Sequence, residues 1–208
     1  MAFDFKKELK EFYLPSNKPE IVTVPKANFL VVEGKGNPNE VDGEYQKAMQ
    51  LLYGIAFTLK MSYKTDYKIE GYFEYVVPPL EGLWWIGDYK EFDYTDKDKL
   101  NWISMIRLPD FIRESDFNWA VNEATHKKKQ DFSKVKLFSY DEGLCVQCMH
   151  IGSYDDEPKT IAALKKHAQE NNYAVNTDGT RYHHEIYLSD PRKAKPEQLK
   201  TVIRLPIK

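Results

Sequence analysis

The tetrapeptide Ile106-Arg107-Leu108-Pro109 recurs near the end of the chain as Ile203-Arg204-Leu205-Pro206. Each copy follows the same order of patterns: an apolar strand, a glycine-containing turn that ends in acidic residues, and an amphipathic helix. These patterns span residues 27–33, 34–40 and 44–61 in the first half, and residues 144–151, 152–157 and 159–169 in the second. Because repetition indicates a duplicated structural unit, we expect two similar halves related by a pseudo-twofold axis. Concave ligand sites tend to form at such seams.

The periodicity of the apolar residues predicts an α+β protein with antiparallel sheet, in which each half runs strand–helix–strand–strand. Residues 66–77 alternate between apolar and polar side chains, which predicts a strand with one solvated face. Residues 88–99 indicate an acidic hairpin region. The predicted organisation is a short helix and linker at 1–19, a first module at 20–111, a bridging helix at 112–134 and a second module at 135–208.

The composition excludes several classes of protein. The net charge is −2, so nothing in it favours nucleic acid as a direct partner. No apolar stretch has the length of a membrane span, and residues 1–10 lack the apolar centre of a signal peptide. Because only Cys145 and Cys148 are present and no export signal precedes them, we expect free thiols and a cytoplasmic location. The aromatic content is high, with 14 Tyr, 11 Phe and 4 Trp.

Glu185 is the first candidate for chemistry. The strand period places His183, Glu185 and Tyr187 on one face of the predicted strand 182–188. In an aromatic pocket, desolvation would raise the pKa of this carboxyl and suit it to general acid or base catalysis. Two alternatives remain open: an anionic anchor for cationic ligands, and a surface glutamate of an edge strand paired with Lys or Arg.

The tryptophans and Tyr154 are the second set of candidates. Trp84 and Trp85 are neighbours on a strand, so they face opposite sides of the sheet, and one of them or Trp102 would line a cavity. The alternative is that all three belong to the core. The phenol of Tyr154 would donate a hydrogen bond to a ligand carbonyl or simply cap a turn.

Cysteines and histidines suggest a metal site at first inspection, but their spacing disfavours one. Cys145 and Cys148 lie on a predicted strand and project to opposite faces, and a second cysteine pair is missing. A nucleophilic pair of Cys148 with His150 is possible by spacing but lacks further support. The glycine pattern at 34–36 is too short for a phosphate-binding loop. We therefore expect neither a metal nor an organic cofactor. The equivalent positions of Arg107 and Arg204 favour a structural role near the pseudo-axis.

Four segments in order resemble the motifs of GyrI-like small-molecule-binding proteins, and the resemblance runs from about residue 18 to the end. The branch it resembles most is the stand-alone one that includes cyclopropanoid cyclase/hydrolase enzymes. Ser153 departs from the proline that many relatives carry. The segments are Glu81-Gly82-Leu83-Trp84-Trp85, residues 105–111, residues 146–157, and residues 183–191, which begin His183-His184-Glu185-Ile186-Tyr187-Leu188.

The resemblance implies two tandem SHS2 modules, each β-α-β-β, with a ligand groove between them. It also implies a catalytic role for Glu185, which would orient or deprotonate a water, and for Tyr154, which would assist at a carbonyl. Ligand binding is expected from six further residues: Trp84, Trp85, Trp102, Met149, His183 and Tyr187.

The expected function is therefore binding of hydrophobic or cationic aromatic small molecules, with cofactor-independent hydrolysis of cyclopropanoid compounds as xenobiotic detoxification. The alternative is a non-catalytic protein that binds or sequesters such molecules in connection with transcription regulation. Because the internal duplication already builds a groove, we expect a monomer.

Overall fold

Antiparallel strands form one continuous sheet in the computed structural model, which describes residues 2–87 and 96–208. The strands are β1 Glu20–Val24, β2 Ala27–Lys35, β3 Leu80–Trp85, β4 Asn101–Arg107, β5 Lys136–Tyr140, β6 Gly143–Ile151, β7 His183–Tyr187 and β8 Lys200–Pro206. The helices are α1 Phe5–Glu8, α2 Lys10–Tyr13, α3 Glu44–Lys60, α4 Glu114–Lys128 and α5 Glu157–Glu170. The predicted α+β class with antiparallel sheet is confirmed.

The strand order β1-β6-β8-β7-β3-β4-β2-β5 is symmetric about the central pair β7–β3. Reading outward from that pair, β8 corresponds to β4, β6 to β2 and β1 to β5. Each half follows β-α-β-β from its long first strand, β2 or β6, and the two repeated tetrapeptides lie in or at the end of β4 and β8. The assignment of these halves to SHS2 modules stays a prediction.

The outermost strands are exchanged between the halves. β1 precedes β2 in the chain but pairs with β6 of the second half, while β5 precedes β6 but pairs with β2 of the first half. The link between β1 and β2 is Pro25-Lys26, which spans at most about 11 Å at 3.8 Å per residue. In a flat sheet these two strands would lie about 29 Å apart, at six spacings of about 4.8 Å. The sheet therefore curls into a half-barrel.

The long helices cover the convex face of the half-barrel. α3 packs on β2 and β4, and α5 packs on β6 and β8, while α4 packs on α3. Helical spacing explains this, because the apolar side chains of α3 and α5 fall on one face of each helix. The central strands β3 and β7 consequently lie between α3 and α5. No helix among residues 2–87 and 96–208 is long and apolar enough to cross a membrane.

Residues 2–16, the N-terminal arm, cover the concave face. The short helix predicted within residues 1–19 is in fact two helices, α1 and α2, separated at Leu9. Phe5, Phe12 and Tyr13 are buried against the sheet, where they contact Met149 and its neighbours. A cavity of about 20 Å³ remains between this arm and the charged side chains of the concave face, which is room for about one water molecule.

The strand predicted over residues 66–77 is wrong. This segment forms a single bridge, between Phe3 and Tyr75, and Gly71 turns the chain at a φ of +75°. Its aromatic residues instead dock one by one: Tyr67 stacks on Trp119, for example. A segment with alternating side chains forms a strand only where a neighbouring strand can pair with it. Both neighbours of β3 are already in place, β7 on one side and β4 on the other. The predicted acidic hairpin falls largely on residues 88–95, outside the described residues.

Candidate functional site

The convex face of β7 presents a hydrogen-bonded row of three side chains, His183, Glu185 and Tyr187. The Nε2 atom of His183 lies 2.8 Å from Oε1 of Glu185, and the hydroxyl of Tyr187 donates to Oε2 at 2.8 Å. The face that the strand period predicts is therefore the observed one. Both oxygens of the carboxylate are held, so its plane is defined before any ligand binds.

Glu185 is not a surface residue. β7 is a central strand, paired with β8 on one side and β3 on the other, and the Glu185 residue is only 5% exposed. The structure therefore excludes the alternative of an edge-strand glutamate paired with Lys or Arg. A carboxylate buried this deeply requires partners to offset its desolvation, and here Tyr187 and His183 provide them.

A second carboxyl group, that of Glu157 at the start of α5, adjoins the first. Glu157 is 1% exposed. Burial, together with the charge of Glu185 and a hydrogen bond to it, raises the pKa of Glu157 well above its usual range. Two adjoining carboxyl groups in an apolar site cannot both ionise easily, and the raised pKa of Glu157 favours its protonated form. Among the described residues, the buried Oε1 atom of Glu157 has no hydrogen-bond donor beside it.

Aromatic rings form the wall of the site on the side of α3. The indole nitrogen of Trp84 donates to the Tyr187 hydroxyl at 2.9 Å. Tyr45, in the first turn of α3, lies with its ring centroid 5.3 Å from Trp84 and 5.1 Å from Trp102. The row of hydrogen bonds on β7 thus continues into a cluster of rings.

Gly82 makes this arrangement possible. It pairs directly with Glu185 across the β3–β7 ladder, on the same face. A Cβ atom at Gly82 would lie 2.6 Å from the Trp84 indole nitrogen and 3.1 Å from the Tyr187 hydroxyl. The absence of a side chain therefore lets the ring of Trp84 fold down over the strand and reach Tyr187.

Tyr154 lies at the rim of the site, in the 3-10 turn that precedes α5. Its ring meets that of Tyr187 edge-on at 6.0 Å. Burial and the negative charge of Glu185 raise the pKa of Tyr154 to about 12. The phenol therefore keeps its proton at neutral pH and can donate it in a hydrogen bond. The turn is tied to the segment after residue 95 by the ion pair of Lys97 with Asp155, at 3.0 Å.

The structure brings most of the predicted site residues together. Around Glu185 lie five of them, namely Tyr154, Trp84, His183, Tyr187 and, behind Tyr45, Trp102. Trp102 is 1% exposed and its ring packs over Gly34, so it supports the wall from behind.

Two predicted ligand-binding residues lie elsewhere. Trp85 projects to the concave face, where its ring lies 4.9 Å from that of Tyr182. Met149 projects to the same face and packs with Phe5 and Phe12 beneath the N-terminal arm. Both positions follow from the strand period, because Trp85 is the neighbour of Trp84 and Met149 is the neighbour of Cys148. The structure does not bring either residue to Glu185.

Among the described residues, no group of three or more His, Cys, Asp and Glu side chains has the geometry to hold a metal ion. Cys145 and Cys148 are free and buried. Cys148 packs beneath α5, whereas Cys145 lies on the other face beside the carbonyl of Glu142. Burial raises the pKa of both thiols, Cys148 to about 11, so neither suits a nucleophile at neutral pH.

Sequence reasoning missed two residues of the site, Glu157 and Tyr45. In the sequence, Glu157 is the last residue of the acidic turn 152–157 that precedes the second helix. The signal that would have identified it is helical spacing, since Glu157, Ile161, Leu164 and Ala168 form the buried face of α5. Tyr45 lies on the buried face of the amphipathic helix predicted over residues 44–61, but its position above the central strands depends on how α3 crosses the sheet.

The chemistry available to the site follows from these contacts. A carboxylate held by His183 and Tyr187 can accept a proton from a water or balance a cation. Its protonated neighbour Glu157 and the phenol of Tyr154 can donate hydrogen bonds. Trp84 and Tyr45 are buried against each other beside this carboxylate, and aromatic rings suit flat or cationic ligands. A few polar groups among aromatic side chains are the usual composition of a small-molecule site.

Comparisons with known proteins agree with this composition. A family model for the GyrI-like small molecule binding domain matches residues 17–208. No curated protein matches the chain. A hydrolase from Listeria innocua is 46% identical with a TM-score of 0.90, and an uncharacterised conserved protein from the same organism is 48% identical with a TM-score of 0.93. In both comparisons 100% of each chain is covered.

A more distant structure shares the fold. The C-terminal domain of EcmrR superposes with a TM-score of 0.55 at 11% identity, over 92% of this chain and 97% of that chain. That likeness concerns the fold, and the family model spans residue 17 to the end of the chain. The chain belongs to the family of GyrI-like small molecule binding domains.

Proposed function

We propose that this protein binds planar, apolar small molecules between α3 and α5. We further propose that it hydrolyses strained, electrophilic members of that class, such as cyclopropanoid dienones. The observation that carries the proposal is the buried pair of carboxyl groups, Glu185 and Glu157, inside an aromatic site. The 46% identity to a Listeria innocua hydrolase supports a hydrolytic reaction.

The internal symmetry supports a functional role for the carboxylate. Glu185 lies opposite Ile203 of the second tetrapeptide, and the residue opposite Ile106 of the first is Leu80. The fold therefore accepts a leucine at the equivalent position of the other half. Burying a carboxylate costs free energy that burying a leucine does not. We therefore infer that Glu185 serves the site and does not serve the stability of the sheet.

The proposed reaction needs a base, a donor and a flat surface. Glu185 takes a proton from a water as the water oxygen forms a bond to the cyclopropane carbon. The strained carbon–carbon bond breaks, and its electron pair moves through the ring to the carbonyl oxygen. Tyr154, which keeps its proton, donates a hydrogen bond to that oxygen as negative charge develops there. Trp84 and Tyr45 hold the planar ring, and the reaction depends on placing a water beside an already strained bond.

The test is turnover of a cyclopropanoid dienone, followed by loss of its ultraviolet absorbance. We expect Glu185→Gln to lower kcat by about two to four orders of magnitude, the usual contribution of a general base. Glu170→Gln, at the exposed far end of α5, is the matched control and should retain full activity. Full turnover in Glu185→Gln would refute the catalytic role.

Binding is measured in the same variants by quenching of tryptophan fluorescence, because Trp84 and Trp102 are part of the wall. If Glu185 acts as a base, Glu185→Gln should still bind a neutral planar ligand. If Glu185 acts instead as an anionic anchor, the variant should selectively lose affinity for cationic ligands. Saturable quenching without turnover in the wild type would refute hydrolysis and leave the alternative, a non-catalytic binding or sequestering protein.

A further inference from the structure

A buried ionic network occupies the concave face, directly behind the site. His184 lies 2.8 Å from Glu142 through Nδ1 and 3.0 Å from Glu81 through Nε2. Arg204 donates to the second oxygen of Glu142 at 2.7 Å. These four residues are each no more than 2% exposed. The network therefore links β3, β7 and β8 to the turn before β6, across the middle of the sheet.

The N-terminal arm is bonded to this network through its own polar groups. The hydroxyl of Tyr13 donates to Oε1 of Glu81 at 2.9 Å. Arg204 donates to the carbonyl of Phe12 at 2.8 Å, and Gln147 donates to the carbonyl of Glu11 at 2.6 Å. The arm lies outside the residues that match the family model, which begin at 17. The arm therefore precedes the matched residues but is hydrogen-bonded to the centre of their sheet.

Consecutive residues of β7 carry polar side chains on opposite faces of the sheet. His183 and Glu185 belong to the site, and His184 between them belongs to the network. His184 is held at both ring nitrogens, so the network limits how far β7 can rotate or shift. A shift of the His184 backbone is transmitted to Glu185, since the two share a planar peptide bond.

We propose that Tyr13 is a positioning residue for the site: by holding Glu81, and through it His184, it sets the orientation of Glu185 on the opposite face of the sheet. The proposal rests on the proposed function only for its kinetic readout. Its physical basis is the chain of contacts from Tyr13 to Glu81 to His184, and then along β7. Without the Tyr13 hydroxyl, Oε1 of a buried carboxylate loses its donor, and the Glu81–His184 contact must readjust.

The structure offers a closely matched control. Tyr75 is, like Tyr13, 2% exposed and belongs to the same apolar cluster, but its buried hydroxyl has no hydrogen-bond partner within residues 2–87 and 96–208. Tyr13→Phe and Tyr75→Phe therefore remove the same atom from the same cluster, and only the first removes a link to the network. Glu81→Gln is a second variant that alters the link and keeps the size of the side chain.

The first readout is independent of activity. In full-length protein labelled with ¹⁵N at histidine, the ring nitrogens of His183 report on the contact with Glu185. We expect Tyr13→Phe and Glu81→Gln to shift the Nε2 resonance of His183, on the far face, and Tyr75→Phe to leave it in place. A shift confined to His184 would show only a local effect and would overturn the proposal.

The second readout is kinetic. We expect Tyr13→Phe to lower kcat for the cyclopropanoid dienone about tenfold, the effect of one hydrogen bond to a charged group, with KM unchanged within about twofold. Equal losses in Tyr13→Phe and Tyr75→Phe, or a change in KM alone, would overturn the positioning role. Absence of turnover in the wild type would refute the proposed hydrolysis, whereas the His183 resonance would still decide the coupling.

Discussion

His184 predicts a specific dependence of folding stability on pH. Burial would by itself lower the pKa of His184, but the carboxylates of Glu142 and Glu81 raise it from 6.5 to about 9. A group whose pKa is raised on folding contributes stability below its unfolded pKa and loses that contribution as pH rises through its folded pKa. The window of loss is therefore about pH 6.5 to 9. Between pH 6 and 9 the expected loss is about 3 kcal/mol, at about 1.4 kcal/mol per unit of pKa difference.

The assay is urea unfolding at several pH values from 6 to 9, in the wild type and in His184→Gln. The wild type should lose about 3 kcal/mol more than the variant across this range, with a slope close to one proton near pH 8. Titration of groups outside the network of His184 is common to both proteins and cancels in the difference. His126→Gln, on the exposed face of α4, is the control and should keep the wild-type slope.

Parallel stability profiles for the wild type and His184→Gln would refute the reasoning. They would show that the His184 ring is not protonated in the folded protein, so the network of Glu142, Glu81 and Arg204 would have to be balanced in another way. A steeper loss in the variant would refute it equally.

Three further predictions follow from the geometry. Gly82→Ala should lower the free energy of unfolding by roughly 1–3 kcal/mol in chemical denaturation, because its Cβ would lie 2.6 Å from the Trp84 indole nitrogen. Cys145 and Cys148 should not react with a thiol reagent in the folded protein at pH 8, because burial raises the pKa of each, and should react fully on unfolding; fast labelling of the folded state would contradict this. Burial by itself would raise the pKa of Glu142, but Arg204 and His184 outweigh burial and lower this pKa from 4.5 to about 2. About 3 kcal/mol of folding stability, present above pH 4.5, should therefore disappear as pH falls through 2. Acid unfolding of Glu142→Gln should lack this component.

The sequence predicted the fold correctly where a local pattern and the residues it contacts both lay within one repeated unit. The strand period on β7 placed Glu185 with His183 and Tyr187, and their hydrogen bonds bear this out. The same rule separated Trp84 from Trp85, although it did not say which ring faces the site. That choice depends on the direction in which the whole sheet curls.

The remaining features depend on contacts between distant segments. Residues 66–77 carry a good strand pattern, but the sheet offers them no free edge beside β3. Glu157 reads as a member of an acidic helix start, and only its approach to Glu185, from a different element, distinguishes it from Asp155 and Asp156. The two carboxyls are 28 residues apart, and no local pattern links a helix terminus to a central strand.

The exchanged edge strands make this chain equivalent to a swapped dimer whose two subunits have been joined end to end. Cut between α4 and β5, it would give two fragments, and each would lack the strand that completes its own edge. Neither fragment has a finished sheet, yet each carries the missing piece of the other. Fragment complementation should therefore restore the whole molecule, and with it Glu185, and a reporter split at this point would signal only when both pieces meet.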